Sequence, residues 1–272
     1  MSGQGITFLK LGGSLITDKD TPHTARMDVL ARLAGEIAQA KAEQPNLSLI
    51  IGHGSGSFGH VPAKQYNTRQ GVSGARGWQG FVTVWREARA LNQVVLEALT
   101  AAHLPVMAFP PSASAIAHDG RLAHWDLAPL RAGLQAGIIP LVNGDTVFDE
   151  TRGGTILSTE DLFIYLAHRL HPQRILLAGL EPGVWADYPA RTRILPEITS
   201  TNFNQAVAQI SGSASVDVTG GMLAKVRSML ALSVSEKESG GAPGFHALIF
   251  SGAEMGNVAR ALRGEQPGTR IH

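Results

Sequence analysis

The sequence predicts an α/β protein built on a mostly parallel sheet that is covered by helices on both faces. Short apolar runs alternate with segments of helical periodicity along the chain. The runs are continuously apolar rather than alternating apolar and polar, which is the pattern of strands buried on both faces. Several of them lead directly into glycines. In open α/β folds such turns lie at the carboxyl edge of the sheet, where ligands bind.

The composition is that of a well-packed protein and excludes several classes of function. Of the 272 residues, 44% are hydrophobic and 17% are charged, so a large core is available and wholesale disorder is excluded. The net charge of +1, without a run of like charges, argues against nucleic acid as the main ligand. The absence of cysteine excludes disulfides, thiolate metal sites and a cysteine nucleophile.

Targeting signals and internal boundaries are also missing from the sequence. The first residues do not form a basic stretch followed by an apolar one, and no apolar run approaches the length of a membrane span. We therefore expect a cytoplasmic protein that does not enter a membrane. With no repeat and no clear linker, residues 1–272 are expected to form one domain. Its two halves, about 1–155 and 156–272, meet near Gly153 to Ser158.

The first predicted strand runs from Ile6 to Leu11 and is broken by Gly12-Gly13-Ser14. Lys10 stands near the end of this strand, which in a parallel sheet places an ammonium group at the edge that binds ligands. Lys19 closes the same loop. Apolar residues then recur at helical spacing from about Met27 to Glu43, which predicts an amphipathic helix.

The stretch around which the chain is organised begins with a buried strand at residues 47–51 and continues as Gly52-His53-Gly54-Ser55-Gly56-Ser57-Phe58-Gly59-His60. Glycine lets the main chain approach a phosphate and present its N–H groups without a side chain in the way. No helical pattern follows these glycines at once, and the segment from His60 to Gly80 is expected to be a mobile loop. A long helix is predicted from Phe81 to Leu104, and the aromatic residues at its start, including Trp85, belong either to the core or to a ligand wall.

The rest of the chain continues the alternation of strands and helices. A hairpin is predicted over residues 148–156, through two adjacent glycines. The other predicted strands are 105–109, 138–142, 174–178 and 246–250, and the other predicted helices are 127–135, 162–170, 204–210, a helix opened by residues 217–221 that runs to about 234, and 256–263.

Acids and lysines accompany the glycine turns. Gly144-Asp145 follows the strand at 138–142, and Thr219-Gly220-Gly221 opens a helix with Lys225 one turn inside it. Glycine N–H groups with a few lysines suit a phosphoryl group in flight, because phosphoryl transfer depends mainly on positioning and charge neutralisation. Ser158-Thr159-Glu160-Asp161, taken alone, is ordinary capping at the start of a helix. Neither the P-loop motif nor the dinucleotide-binding fingerprint is present.

Taken together, these motifs resemble the amino acid kinase superfamily and, within it, most of all the isopentenyl phosphate kinases. The resemblance runs in order from Lys10 to the final helix. It rests on the lysine–glycine turn after the first strand, the glycine loop ending in Ser57-Phe58-Gly59-His60, Gly144-Asp145, and residues 217–222 with Lys225. The Phe-Gly-His ending discriminates most, because the acetylglutamate, aspartate and uridylate kinases of the superfamily lack that histidine.

The resemblance implies a fold, a reaction and partners. The fold is a three-layer α/β/α sandwich with an open, mainly parallel central sheet, usually in a homodimer. The N-terminal half would bind the phosphoryl acceptor and the C-terminal half would bind ATP with Mg²⁺. The implied reaction converts ATP and isopentenyl phosphate into ADP and isopentenyl diphosphate, a step of isoprenoid precursor synthesis.

The resemblance also implies roles for individual residues. Lys10 and Lys19 would stabilise the phosphoryl group in transfer, and an acid at Glu160 or Asp161 would orient the lysines. His60 would donate a hydrogen bond to the acceptor phosphate. The ATP phosphates would be bound by Lys10, Gly12, Gly13, Ser14, Gly56, Gly220, Gly221 and Lys225, and the acceptor by Gly54, Ser55, His60, Thr159, Phe81, Trp85 and Asp145, with no protein metal site.

Three departures from the family pattern leave alternatives open. Where the family has three consecutive glycines, this chain has Gly54-Ser55-Gly56. The serine keeps the backbone N–H donors in place only if its φ is negative. Where the family commonly has Ser-Gly-Asp, this chain has Ser158-Thr159-Glu160. The turn after the fifth strand, which bears an acid in the family, reads Gly179-Leu180-Glu181-Pro182-Gly183 here. The alternatives are a kinase for another small phosphate or phosphonate, such as fosfomycin, and a catalytically silent nucleotide-binding sensor. His53 is interpreted as structural.

Overall fold

The computed structural model of the protein describes residues 5–210 and 221–272. The predicted turn at 217–220, which includes the candidate phosphate ligand Gly220, lies outside these residues. The strands are β1 (Thr7–Leu11), β2 (Leu49–His53), β3 (Val106–Ala108), β4 (Ala115–His118), β5 (Arg121–Trp125), β6 (Ile139–Asn143), β7 (Asp145–Asp149), β8 (Gly153–Leu157), β9 (Arg174–Gly179), β10 (Val184–Trp185), β11 (Ile194–Leu195), β12 (Glu197–Ile198), β13 (His246–Ser251) and β14 (Gly268–Ile271).

Helices lie in the longer segments between these strands. They are α1 (Gly13–Ile16), α2 (Met27–Glu43), α3 (Gly56–Tyr66), α4 (Gly74–Ala101), α5 (Ala128–Gln135), α6 (Thr159–Leu170), α7 (Phe203–Ile210), α8 (Gly221–Glu238) and α9 (Asn257–Arg263), with short 3-10 turns at Thr68–Gln70 and Pro111–Ala113. Among the helices described, none combines the length and the apolar character that crossing a bilayer requires.

The central sheet has eight strands in the order β12-β14-β13-β9-β1-β2-β6-β3. All of its neighbouring strands run parallel except β13 and β14, which are antiparallel. The register sets Lys10 of β1 opposite Gly52 of β2, and His53 opposite Asn143 of β6. The ends of these strands therefore meet at one carboxyl edge, as the sequence predicts.

Successive residues of the inner strands lie in two separate cores, one on each face of the sheet. On one face Phe8 packs with residues of α6 and α8, such as Phe163 and Met229. On the other face Leu9 packs with residues of α2, α4 and α9, such as Leu33. Both cores are closed to solvent, which explains the continuously apolar strands and confirms the three-layer α/β/α sandwich.

A second sheet, in the order β5-β4-β7-β8, extends one side of the molecule. Its β7–β8 pair is the hairpin predicted over residues 148–156, and it pairs Asp145 with Leu157 at one end and Asp149 with Gly153 at the other. The sequence pattern does not predict β4, β5, the two-residue strands β10 to β12 or the antiparallel β14. These strands are short, and β4 and β5 contain charged or exposed positions that hide a strand pattern.

The mobile loop predicted from His60 to Gly80 is wrong. Helix α3 begins directly at Gly56 and runs to Tyr66, and α4 already begins at Gly74, seven residues before the predicted start. Pro62 lies inside α3 and argues locally against a helix. Packing outweighs that cost, because α3 lies along α4 so closely that the Tyr66 ring occupies the space of a side chain at Gly80.

Candidate active site

Two glycine loops meet backbone to backbone at the carboxyl edge of the sheet. A Cβ on Gly54 would lie 2.8 Å from the Gly13 nitrogen, closer than real side chains come. Gly56 has a φ of +49°, and a Cβ there would overlap the Thr17 hydroxyl. Glycine is therefore required in both loops, by space and, at Gly56, also by conformation.

Hydrogen bonds hold these loops on the strand ends. Gly12 N donates to Ala178 O at 2.8 Å and Gly54 N donates to Leu11 O at 3.0 Å. Ser55 has φ −76° and ψ −17°, so the negative φ that a serine needs in this loop is present. We call the peptide groups of these two loops, residues 12–14 and 54–56, the glycine cradle. Its backbone is packed too closely for side chains at the glycines, and such a surface of peptide groups is suited to phosphates.

Lys10 and Glu160 form a short ion pair beside this cradle. Lys10 Nζ donates to Glu160 Oε1 at 2.6 Å, and only 9% of Lys10 is exposed. Burial raises the pKa of Glu160, but the charge and hydrogen bond of Lys10, together with the charge of Lys225, outweigh burial and hold that pKa below its usual value. Lys10 therefore contacts this carboxylate, and Lys225 acts on its pKa through charge alone.

The structure distinguishes the two acids at the start of α6. Glu160 contacts Lys10, whereas Asp161 accepts hydrogen bonds from the N–H and hydroxyl of Ser158 at 2.8 and 2.7 Å. Ser158 accepts from Asp161 N in return, which completes a capping box. Asp161 also lies 3.3 Å from the Arg69 guanidinium. Its geometry is that of a helix cap, and Glu160 is the acid of this pair that contacts Lys10.

Thr159 is buried between the ends of two strands. Its hydroxyl donates to His53 O at 2.6 Å and accepts from Gly144 N at 3.1 Å. Its methyl group lies against Gly52, where a Cβ would be 2.6 Å away. The predicted acceptor ligand therefore uses its only hydroxyl proton to join β2 to β6, and its geometry is that of a support for the loop.

The remaining predicted phosphate ligands lie on α1, α3 and α8 and in the loop after α1. Ser14 is in the first turn of α1, and Gly221 begins α8 with a φ of +63°. Lys225 is half-buried one turn further, and His60 is exposed on α3. Lys19 is exposed in the loop between α1 and α2, where it makes no ion pair with the other residues that the structure describes.

A cavity of about 530 Å³ runs along α4 next to the strand ends. Two aromatic residues of its wall, Phe81 and Phe148, have ring centres 5.2 Å apart, and Trp78, outside the wall, is centred 5.4 Å from Phe81. The apolar part of the wall includes Phe81, Val82, Trp85, Leu96 and Phe148. The polar part includes Asn92, Ser112, Asn143 and Asp145. The predicted acceptor residues Phe81, Trp85 and Asp145 therefore share one cavity of ligand size.

Asp145 is almost fully buried in the polar part of the cavity. Burial raises its pKa to about 6, although hydrogen bonds from Ser112 and from the Thr146 N–H, at 2.8 Å from Asp145 Oδ1, act in the opposite direction. Ser112 belongs to the 3-10 turn Pro111–Ala113, so Asp145 fastens this turn to the start of β7. A carboxyl group that changes charge near neutral pH thus lies in the cavity wall.

Several residues of the site escaped the sequence analysis. Asn92 and Ser112 carry no motif, and Asn143 directly precedes Gly144-Asp145 without being predicted as a ligand. Asn92 has a detectable signal of its own, because it lies seven residues, or two helical turns, after Trp85 and therefore on the same face of α4. A polar residue on the apolar face of a long helix points to a function or to a buried hydrogen bond.

The match to known proteins agrees with this fold. Residues 5–239 match the model of the amino acid kinase family. The chain belongs to the amino acid kinase family, and the glycine cradle with its lysines lies where the parallel strands of that fold end.

Within that family the chain is similar to isopentenyl phosphate kinases. It is 36% identical to the isopentenyl phosphate kinase of Methanothermobacter thermautotrophicus and 38% identical to that of Haloferax volcanii, in both cases over 98% of each chain. A crystal structure of an isopentenyl phosphate kinase superposes with a TM-score of 0.81 at 33% identity, covering 98% of this chain and 100% of that one.

Proposed function

We propose that this protein is an ATP-dependent kinase that phosphorylates isopentenyl phosphate and releases isopentenyl diphosphate and ADP. The observation that carries the proposal is the cavity along α4. Its aromatic and aliphatic wall suits a short hydrocarbon tail, and its polar part reaches Asn92, whose partner His53 directly precedes Gly54. A tail in the cavity would therefore bring its phosphate to the glycine cradle. The similar proteins named isopentenyl phosphate kinase support the same acceptor.

The reaction joins two phosphates without a general base. An anionic oxygen of the acceptor phosphate forms a bond to the γ-phosphorus of ATP, while the bond from that phosphorus to the β–γ bridging oxygen breaks and ADP leaves. Lys10 and Lys19 neutralise charge on the phosphoryl group in transfer, and Glu160 fixes the Lys10 ammonium through the 2.6 Å contact. His60 donates to the acceptor phosphate, which Gly54 and Ser55 bind through backbone N–H groups.

The nucleotide phosphates belong to the other side of the cradle. Gly12, Gly13, Ser14 and Gly56 would present N–H groups to them, and Gly221 and Lys225 would approach from the start of α8. Mg²⁺ would be held mainly by the nucleotide phosphates and supply further charge neutralisation, as is common for this cation. An acceptor-binding N-terminal half, an ATP-binding C-terminal half, a homodimer and a cytoplasmic location remain predictions.

A phosphonate such as fosfomycin is the main alternative acceptor. A kinase for it would share the Phe58-Gly59-His60 ending but would need a small polar pocket. The wall that Phe81 and Trp85 form favours a prenyl tail instead. The Lys10–Glu160 pair argues against a silent sensor, because holding a nucleotide does not require an oriented lysine.

The test is an ADP-release assay with ATP and Mg²⁺ against isopentenyl phosphate, fosfomycin and acetylglutamate in parallel. We expect turnover on isopentenyl phosphate and a large loss of it in His60→Ala. Turnover on fosfomycin alone would keep the mechanism and overturn the acceptor. Silence with all three acceptors, with nucleotide binding intact, would favour the sensor.

A further inference from the structure

His53 is a buried imidazole, next to the glycine cradle, whose two ring nitrogens both have fixed partners. It is 0% exposed. Nδ1 lies 3.1 Å from the carbonyl oxygen of Gly54, and Nε2 lies 3.0 Å from the side-chain nitrogen of Asn92. The reaction proposed above assigns no role to this residue.

The two partners decide which nitrogen carries the proton. A carbonyl oxygen can only accept, so Nδ1 must donate to Gly54, and an amide nitrogen can only donate, so Nε2 must be bare. Burial lowers the pKa of His53 to about 4; the Gly54 hydrogen bond opposes this and the charge of Lys10 adds to it. The ring is therefore neutral with its proton on Nδ1.

No other charge faces the ring from the elements packed around it, as far as the structure describes them. Lys10 of β1 is the charged neighbour, and it is neutralised by Glu160 of α6. From β6 the neighbour in register is Asn143, and from α6 it is Thr159, which donates to the His53 carbonyl. The tautomer is therefore set by two hydrogen bonds, from Nδ1 to the Gly54 carbonyl and from the Asn92 amide to Nε2, and Asn92 is the side chain among them.

This tautomer orients one peptide group of the cradle. The Gly54 carbonyl and the Ser55 N–H belong to the same planar trans peptide, so they point in opposite directions. Holding the carbonyl towards the imidazole directs the Ser55 N–H away from it. A hydrogen bond to the carbonyl also polarises the peptide and strengthens its N–H as a donor.

We propose that His53 is a positioning residue for the acceptor phosphate, which it serves by holding the Gly54–Ser55 peptide through the tautomer that Asn92 selects. The proposal rests on the proposed function, in which the acceptor phosphate binds at Gly54 and Ser55. It also gives Asn92 two contacts, one with the cavity for the tail and one with the support of the phosphate loop.

Asn92→Asp tests the proposal because it changes which ring nitrogen of His53 carries the proton, with almost no change in side-chain shape. The new carboxylate can only accept, so Nε2 must then carry a proton. At low pH both ring nitrogens are protonated and the Gly54 bond persists. At higher pH the single remaining proton stays on Nε2 and the Gly54 bond is lost. We expect the KM for isopentenyl phosphate, relative to wild type at the same pH, to rise about tenfold between these limits. The KM for ATP should not follow.

Asn92→Leu is the matched control, because it alters the cavity without reversing the tautomer. Its KM for isopentenyl phosphate should differ from wild type by the same factor at every pH. A ratio for Asn92→Asp that is equally independent of pH, with the tautomer reversed, would overturn the proposal.

A direct measurement needs neither turnover nor a folded variant. Nitrogen-15 NMR of the wild-type protein with labelled histidine should show the His53 proton on Nδ1 between pH 6 and 9. A proton on Nε2 would refute the proposal even if the enzyme is active. If the tautomer is as expected but isopentenyl phosphate is not turned over, the proposed function fails and the arrangement of His53 stands.

Discussion

Glu160 and Asp161, the adjacent acids at the start of α6, make different contacts because their side chains point in different directions. Glu160 reaches Lys10, and Asp161 turns back to cap the helix. The sequence predicts that one of the two orients a lysine but does not say which. A glutamate fits this role because its extra methylene lets a residue on α6 reach across to β1.

Replacing Glu160 by Gln should lower kcat about 10- to 100-fold with little change in either KM. The glutamine keeps the shape, but Lys10 loses its charged partner in a buried place and its ammonium is no longer held towards the phosphoryl group. Steady-state kinetics on isopentenyl phosphate measures this. The control is Asp161→Asn, which should lower thermal stability more than kcat; an Asp161→Asn enzyme that loses kcat while Glu160→Gln keeps it would reverse the assignment.

Asp145 should make the protein less stable as pH rises from about 4 to 6. Burial raises its pKa in the folded protein to about 6 from the ordinary value of 3.8, so in this range the folded state keeps a proton that the unfolded state has lost. The free energy of unfolding of Asp145→Asn, minus that of wild type, should therefore increase over this range and stay constant above pH 7. Urea titrations at a series of pH values measure it, and a constant difference from pH 4 to 8 would contradict the raised pKa.

At the scale of the elements, the sequence predicts the inner strands well and α3 badly. Strands such as β2 and β9 are buried on both faces, so their composition alone identifies them. Helix α3 contains glycines and Pro62, and its stability comes from packing on α4, which lies in a later segment. Local patterns cannot report a contact of that kind.

Gly56→Ala should destabilise the protein by at least about 2 kcal/mol and abolish most of the activity. The alanine would have to adopt a positive φ and would displace Thr17, which itself accepts a hydrogen bond from Ser57 N at 3.0 Å. Chemical denaturation and the ADP-release assay measure the two effects. Gly35→Ala is the control: it lies in α2 with open space around it and should stabilise the protein by about 0.5 to 1 kcal/mol.

At the scale of the whole molecule, the site is built where the two cores and the second sheet come together. Lys10 arrives on β1, Glu160 on α6, and Asp145 on the first residue of β7. Lys10 and Asp145 are predicted because each lies at or just after the end of a strand pattern, whereas Glu160 stands at the start of a helix pattern that alone indicates capping, and its place in the site is implied by the family resemblance. The sequence does not predict their connections through Asn92 and Thr159, since those hydrogen bonds join residues 39 and 106 positions apart.

Trp85→Ala should raise the KM for isopentenyl phosphate about tenfold and leave the KM for ATP unchanged. Trp85 lines the proposed tail cavity, so its removal takes apolar contact from the acceptor only. The neighbouring Arg86→Ala is a suitable control, because Arg86 is exposed and does not line the cavity. If both KM values rise together in Trp85→Ala, the cavity does not separate the two substrates.

The backbone contact of Gly13 with Gly54 and Gly56 limits how this protein can evolve. A larger residue in one loop cannot be rescued by a smaller one in the other, because both loops already carry the smallest residue. Pairs of compensating substitutions therefore cannot change the glycine positions of the cradle. New acceptor preferences have to arise in the side chains of the cavity, such as Val82 and Trp85, and a library designed to change the substrate should vary those positions and leave the three glycines alone.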